Sequence, residues 1–156
     1  MKNLLLLFFT TLLFGQSKEA NKHLALPALV SDNMVLQQSS LVGVWGWAEK
    51  NKKVTILSDW NSETVTVKSD ASGKWKTKIN TPVAGGPFSI KISTNKEQIT
   101  LNNVLIGEVW MGSGQSNMEM PMAGNNNEPV KDSNELILSS KNQQIRLFTV
   151  KRKSSK

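Results

Sequence analysis

The segment from residue 112 to residue 120 contains the residue types that acyl transfer requires. It reads Gly-Ser-Gly-Gln-Ser-Asn-Met-Glu-Met, with Ser116 between Gln115 and Asn117. A serine hydroxyl can act as a nucleophile, and a glycine such as Gly114 lets backbone N–H groups approach a reacting oxygen. A glycine-rich turn with a serine is also common as a plain turn, so the residues alone leave both interpretations open.

Two other glycine-containing motifs do not fit this segment. A nucleophile elbow of the Gly-x-Ser-x-Gly type needs glycine at position 118, where the chain has Met118. A phosphate-binding loop needs Gly-Lys-Ser or Gly-Lys-Thr, and neither triplet follows these glycines. The sequence therefore disfavours both the hydrolase fold built on that elbow and a P-loop.

Metal and cofactor chemistry have few candidate residues. The chain has one histidine, His23, and no cysteine. His23 lies ahead of the predicted fold, where an exposed position is expected, and the carboxylates are scattered. The sequence predicts no metal site, no cofactor and no disulfide.

Short apolar runs separated by turn residues must position this segment. They cover residues 24–29, 34–36, 42–47, 54–57, 64–67, 75–79, 88–92 and 99–101. Val65 and Val67 alternate with polar neighbours, as in a strand with one buried and one solvated face. Strands at this spacing predict a mostly β protein with an N-terminal β-sandwich.

Aromatic residues in this half offer a possible surface for a sugar. Trp75 and Phe88 occupy inward positions of their strands and are predicted to be core. Trp60, in the loop of residues 58–61, is the preferred candidate for a sugar contact. The alternative for each of these aromatic residues is an ordinary position in the core or on the surface, without a role in binding.

The pattern changes after residue 103. Residues 104–111 form a mostly apolar run, as in a strand covered on both faces, and a helix capped by Asp132 or Ser133 is expected to follow. Residues 145–150 read as another buried strand. Strand, helix and strand begin a parallel α/β sheet, which this chain leaves incomplete.

The amino terminus reads as a secretory signal peptide. A basic start, an apolar run over residues 4–14 and the small residues Gly15 and Ser17 match that pattern, and a membrane anchor would need about 20 apolar residues. We expect residues 1–20 to be the signal, 21–102 a β-sandwich domain and 103–156 the start of an α/β hydrolase domain. The mature protein would then be secreted or periplasmic, without a stable membrane span.

The positive charge does not indicate a nucleic-acid partner. The net charge is +7, and lysines and arginines are scattered except in the tail of residues 151–156. Nucleic-acid binders usually concentrate basic residues along one face, with aromatics between them. The simpler interpretation is a soluble, well-hydrated surface.

Several motifs together resemble one family. The sequence Gly107-Glu108-Val109-Trp110, followed by residues 114–120, resembles the sialate O-acetylesterase family of SGNH-type hydrolases. The similarity continues in residues 31–37, 44–48, 70–75, 85–88 and 145–148, in the expected order. It covers the chain from about residue 24 to residue 150.

The resemblance implies a function for the serine segment. Ser116 would be the nucleophile that attacks the acetyl group of an O-acetylated sialic acid or related sugar, and its backbone N–H would contribute to the oxyanion hole. Gln115, Asn117 and Gly114 would support the loop or touch the substrate. The family takes an oxyanion-hole glycine and asparagine, and its histidine base, from later blocks that these 156 residues do not contain. The chain alone is therefore expected to be inactive.

Two alternatives remain open at this point. The chain could be a non-catalytic carbohydrate-binding β-sandwich, or a structural domain of the cell envelope that has the fold without the enzyme. The residues do not specify the sugar, the acyl group or the oligomeric state.

Overall fold

The computed structural model describes residues 23–150. Their strands are β1 Val35–Gln37, β2 Leu41–Trp47, β3 Lys53–Ser58, β4 Thr64–Lys68, β5 Lys74–Asn80, β6 Gly85–Ser93, β7 Gln98–Gly107, β8 Gly124–Asn125 and β9 Glu128–Pro129. A 3-10 helix spans Ser116–Glu119, and one α-helix, α1, spans Ser133–Ser139. The fold is mostly β, as the sequence predicts.

Five strands form the main sheet, in the order β1-β7-β6-β3-β4. All neighbours are antiparallel except β1 and β7, which run parallel with Val35 opposite Leu105. Strands β2 and β5 form a separate antiparallel ribbon, and the short pair β8–β9 forms a hairpin. The first seven strands thus make up one β-body, which we define as residues 23–107.

A single apolar core holds the main sheet and the β2–β5 ribbon together. Val44 and Trp75 of the ribbon share one buried cluster with Ile56, Ile90 and Val104 of the main sheet. Their strands alternate between buried and solvated positions, so each contributes one apolar face. Among the described residues, every buried hydrophobic side chain lies between Leu24 and Ile106.

A tight turn joins β4 to β5 and fixes the end of the ribbon. One carboxylate oxygen of Asp70 accepts hydrogen bonds from the backbone N–H groups of Ser72 and Lys74, at 2.7 and 2.9 Å. Gly73 has a φ of 79°, in the left-handed region that glycine adopts without a steric penalty. The turn therefore needs both the short acceptor side chain and the glycine.

Most of the predicted strands are present, with one exception near the amino terminus. Residues 24–29 form no strand and contribute only a bridge between Ala25 and Trp47. Pro27 has no N–H group to donate to a ladder, which disfavours a strand there. Trp75 is buried, as predicted, and Phe88 packs at the edge of the core.

The strand predicted over residues 104–111 is correct only as far as Gly107. Residues 104–107 are the end of β7, which lies inside the main sheet between β1 and β6, whereas Trp110 and Met111 are 90% and 92% exposed. The strand therefore does not begin a separate parallel sheet within the described residues, and the predicted boundary after residue 102 falls inside β7.

The strand predicted over residues 145–150 is absent from the structure. A buried parallel strand needs a neighbour, and β7 already has β1 and β6 on its two edges. The predicted helix is present as α1, with Asp132 at its N-cap, although the Asp132 side chain makes no capping hydrogen bond.

The predicted signal peptide, residues 1–20, lies outside the described residues, as does the basic tail after Val150. From residue 23 to residue 150, no helix has the length and apolar character that crossing a bilayer requires.

Candidate active-site segment

Ser116 begins the 3-10 helix that follows β7. The residues between Gly107 and Ser116 have no regular secondary structure, and the N–H of Met118 then donates to the carbonyl of Gln115 at 3.0 Å. This bond closes the turn around Ser116. The helical structure at Ser116 is thus one short 3-10 turn.

The glycines before Ser116 make room for Met118. A Cβ atom at Gly114 would lie 2.8 Å from Cγ of Met118, and one at Gly112 would lie 2.9 Å from its terminal methyl group. Cγ is close to the Met118 backbone and moves less easily than the methyl group. Gly114 is therefore the more restrictive position, and its role here is steric.

The candidate nucleophile is open to solvent. Gly114, Gln115, Ser116 and Asn117 are all exposed. Within residues 23–150, no hydrogen bond fixes the side chains of Gln115, Ser116 or Asn117. A substrate could reach the hydroxyl, but nothing in the described segment activates it.

The only histidine of the chain is engaged elsewhere. Nδ1 of His23 lies 2.7 Å from one oxygen of Glu97, and the other oxygen of Glu97 accepts the N–H of Leu24 at 2.7 Å. These hydrogen bonds, with that from Leu24 the stronger influence, lower the pKa of Glu97. His23 thus holds the amino-terminal segment to the start of β7 and is not part of the Ser116 turn.

Glu108 attaches the start of the Ser116 segment to the β-body. Its two carboxylate oxygens accept hydrogen bonds from the side-chain amides of Gln37 and Gln38, at 2.9 and 2.6 Å. The Gln37 side chain in turn accepts the N–H of Val109 at 2.9 Å. We call this group of four residues the Glu108 clamp.

The Glu108 clamp favours the ionised carboxylate. The hydrogen bond from Gln37, followed by that from Gln38, lowers the pKa of Glu108 below its ordinary value of 4.5. Both amides donate to the charged form, so protonation would cost one of these bonds. The clamp is therefore intact at neutral pH and weakens in acid.

A second attachment holds the carboxyl-terminal part of the described chain. The guanidinium of Arg146 donates to the carbonyl oxygens of Met34 and Asn103, and to the Asn103 side chain at 3.0 Å. The Asn103 amide donates to the side chain of Asn33 at 2.7 Å. Residues near both ends of the 108–150 segment thus contact residues in or beside the paired strands β1 and β7.

Trp60 is positioned by other residues. Its indole N–H donates to the carbonyl of Asn80 at 3.0 Å, and its ring packs edge-on against Phe88 with centroids 5.6 Å apart. These contacts place it against the core, and neither partner belongs to the Ser116 segment. A sugar contact by Trp60 stays a prediction.

Comparisons with known proteins cover much of the described chain. The sialate O-acetylesterase of Mus musculus is 29% identical over 143 residues, which are 86% of this chain and 26% of that protein. The Homo sapiens protein of the same name is 32% identical over 100 residues, covering 58% and 19%. A carbohydrate acetylesterase from Xanthomonas citri, known from a crystal structure, superposes with a TM-score of 0.60 at 37% identity, over 65% of this chain and 23% of that one.

The chain is related to the sialate O-acetylesterases along part of its length. No family model matches it. The chain spans only about a quarter, or less, of the proteins to which it is similar. The resemblance noted in the sequence is thus confirmed at the level of the family.

Sequence reasoning missed the residues that orient the serine segment of this sialate O-acetylesterase-like chain. Glu108, Gln37 and Arg146 were read only as parts of motifs, without a role. No local signal was available for Glu108, because an exposed carboxylate can be solvated by water. Its partners lie 70 and 71 positions away, which no local pattern reveals.

Proposed function

We propose that this chain is part of a carbohydrate esterase that removes O-acetyl groups from sialic acid or a related sugar, with Ser116 as its nucleophile. The observation that carries the proposal is the similarity to curated sialate O-acetylesterases and to a solved carbohydrate acetylesterase. The exposed position of Ser116 at the start of a 3-10 turn supports the assignment.

The reaction would proceed through an acyl-enzyme. The Ser116 oxygen attacks the acetyl carbonyl while its proton passes to a base, and the sugar hydroxyl then leaves with a proton. Water next attacks the acetyl-serine ester, which releases acetate and restores the hydroxyl. The backbone N–H of Ser116 would donate to the oxyanion in both steps.

The base is the missing part. Without it the serine is a poor nucleophile, and general-base assistance is worth about 10²–10⁴-fold. His23, the only histidine, is bound to Glu97. We therefore propose that the 156 residues alone are inactive, and that the base and the remaining oxyanion donors belong to other parts of a longer protein.

We also propose a division of the chain into two domains and a signal peptide. The β-body would be the β-sandwich domain, with the residues after Gly107 as the entry into an SGNH-type α/β domain. Support comes from the shared core of the ribbon and the main sheet, and from the exposed apolar residues after Gly107, such as Met111 and Leu147. Residues 1–20 would direct secretion.

The first step is to sequence the gene through and beyond codon 156. The protein encoded by the full open reading frame is then assayed for acetate release from O-acetylated sialic acid. Ser116→Ala should lower kcat by at least about 10³-fold, because a nucleophile and its base act as a unit. Ser113→Ala, a matched change in the same exposed segment, should stay close to the unchanged protein.

The 156-residue chain is assayed beside its own Ser116→Ala variant. Both should release acetate at the same background rate. A clear excess for the unchanged chain would contradict the proposed inactivity while leaving the esterase assignment intact. An active complete product that loses nothing on Ser116→Ala would instead overturn the role of Ser116.

A further inference from the structure

The outer face of the β2–β5 ribbon combines aromatic and basic side chains. Trp45 lies opposite Lys76 and Trp47 lies opposite Lys74, each as a direct cross-strand pair. These positions alternate with the buried ones, so the two tryptophans are only partly buried and the lysines are exposed. The ribbon thus presents two indole rings beside a row of ammonium groups.

An open groove runs along this face. It has a volume of about 530 Å³ and is lined by Gly43, Trp45, Gly46, Trp47, Asp70, Lys74, Trp75 and Lys76. This volume lies within the range of typical small-ligand sites. A Cβ atom built on Gly43 would meet no atom within 4 Å, so there is open space beside that glycine. Lys78, the cross-strand partner of Gly43, follows Lys76 on the same face, just beyond the residues that line the groove.

Charge is distributed unevenly along the groove. At the Trp47 end, Asp70 accepts hydrogen bonds from its own turn and interacts with Lys74. At the Gly43 end, Lys76 and Lys78 form no salt bridge with any described residue. An anionic group is therefore favoured at the Gly43 end and disfavoured at the other.

We propose that this groove is a binding site for an acidic oligosaccharide, separate from the Ser116 segment. Sugar rings pack their apolar faces on Trp45 and Trp47, and a carboxylate of the sugar lies between Lys76 and Lys78. Indole rings provide large apolar faces with little conformational freedom to lose, and paired ammonium groups supply charge-assisted hydrogen bonds. The site would hold the glycan non-catalytically.

The same residues argue against two other occupants. A nucleic-acid strand carries a phosphate at every step, and one end of this short groove contains Asp70, which would repel it. An apolar protein segment would leave the ammonium groups of Lys74, Lys76 and Lys78 beside an uncharged partner, and such desolvation is unfavourable. A ligand with alternating apolar faces and a localised negative charge matches the groove better.

The first experiment measures binding of a short, fluorescently labelled sialic acid oligomer to the chain by anisotropy. We expect saturable binding that weakens as salt is added, because the lysines are exposed and screened. The same oligomer with its carboxylates reduced to alcohols should bind at least about tenfold more weakly. Poly-L-glutamate and a single-stranded oligonucleotide serve as comparison ligands.

Variants then measure separately how charge, aromatic stacking and open space in the groove contribute to binding. Lys76→Gln with Lys78→Gln should weaken binding by at least about tenfold, whereas Lys53→Gln with Lys68→Gln, which changes the net charge equally on another sheet, should change it by less than about twofold. Trp47→Ala should abolish binding, and Trp110→Ala, at an indole that is 90% exposed outside the groove, should not. Gly43→Val fills the open space without removing a charge and should also block binding.

Three results would overturn the proposal. Equal affinity for the oligomer and its carboxyl-reduced form would remove the acidic specificity. Tighter binding of poly-L-glutamate or the oligonucleotide would mean that the face is a general polyanion surface. Unchanged sugar binding in the folded Gly43→Val variant would place the ligand elsewhere. None of these outcomes depends on esterase activity, so failure here leaves the proposed function untouched.

Discussion

The Glu108 clamp links the serine segment to the β-body through three hydrogen bonds. Its carboxylate is held by two glutamine amides, and the Gln37 side chain also accepts the N–H of Val109. Because Gln37 uses both ends of its amide group, the position of Val109 depends on the Glu108 carboxylate. The first residues after β7 are therefore set by a side-chain network and not by a backbone ladder.

Glu108→Gln tests this dependence. A glutamine at position 108 offers one oxygen acceptor where the carboxylate offers two, so either Gln37 or Gln38 loses its partner. We expect the amide of Val109 to exchange with solvent about tenfold faster, while amides within β3 and β6 keep their protection. Hydrogen exchange measured residue by residue checks this.

Glu128→Gln is the matched control for that variant. Glu128 is exposed on β9 and makes none of the hydrogen bonds of the Glu108 clamp. If both variants leave Val109 protected to the same degree, the clamp does not order the segment.

At the scale of elements, β6 and β7 form the centre of the main sheet. Each pairs with a neighbour on both edges, and each contributes fully buried side chains, Ile90 and Ile92 from β6 and Val104 from β7. This position explains why β7 continues to Gly107 and then stops. Beyond Gly107, the chain leaves the shared core and its apolar side chains become exposed.

Ile90→Ala should destabilise the β-body strongly. The Ile90 side chain is 0% exposed, and truncating a buried isoleucine typically costs about 2–5 kcal/mol because it leaves a cavity. Val83→Ala, at a valine that is 71% exposed, should cost less than about 0.5 kcal/mol. Urea denaturation of the two variants measures the difference, and a similar midpoint for both would contradict the assigned core.

The sequence predicts the elements whose information is local. Alternating residues such as Val65 and Val67, between turn residues, located the strands, and the inward position of Trp75 was correct. The strand predicted over residues 145–150 is absent, because an apolar run forms a strand only when its expected partner is free to pair, and β7 already pairs on both sides. Which strands pair with β7 depends on contacts across the whole chain.

The candidate site could be predicted only where its information is local. The serine segment stands out by its residue types, whereas the Glu108 clamp and the Arg146 contacts join residues 43 to 112 positions apart. Trp45 and Trp47 are two positions apart on β2, so strand alternation alone places them on one face. Which lysines stand opposite them depends on the register of β2 against β5, which the sequence does not reveal.

At the scale of the whole molecule, several carboxylates share one pH behaviour. Hydrogen bonds lower the pKa values of Glu49, Asp70, Glu97 and Glu108, led by Lys96, Ser72, Leu24 and Gln37 respectively. A carboxylate whose pKa is lower in the folded state stabilises that state above its unfolded pKa. This contribution disappears as the pH falls through the folded pKa.

The Tm of the chain should therefore be nearly constant above about pH 5.5 and fall progressively below the ordinary glutamate pKa of 4.5. Glu97→Gln should make the acid decline shallower, because one of the contributing carboxylates is gone. Thermal unfolding followed by circular dichroism between about pH 3 and pH 7 measures both. An unfolding temperature that rises on acidification would contradict the sign of these effects.

The parallel pairing of β1 with β7 has a consequence for the order in which the chain folds. Val35 meets Leu105, and the Glu108 clamp joins Gln37 to a residue 71 positions further on. Such contacts give a high contact order, and loop closure of this kind slows folding. Because the Glu108 clamp needs Gln37 and Gln38 beside the end of β7, we expect the candidate nucleophile to be positioned late, after β1 and β7 have paired.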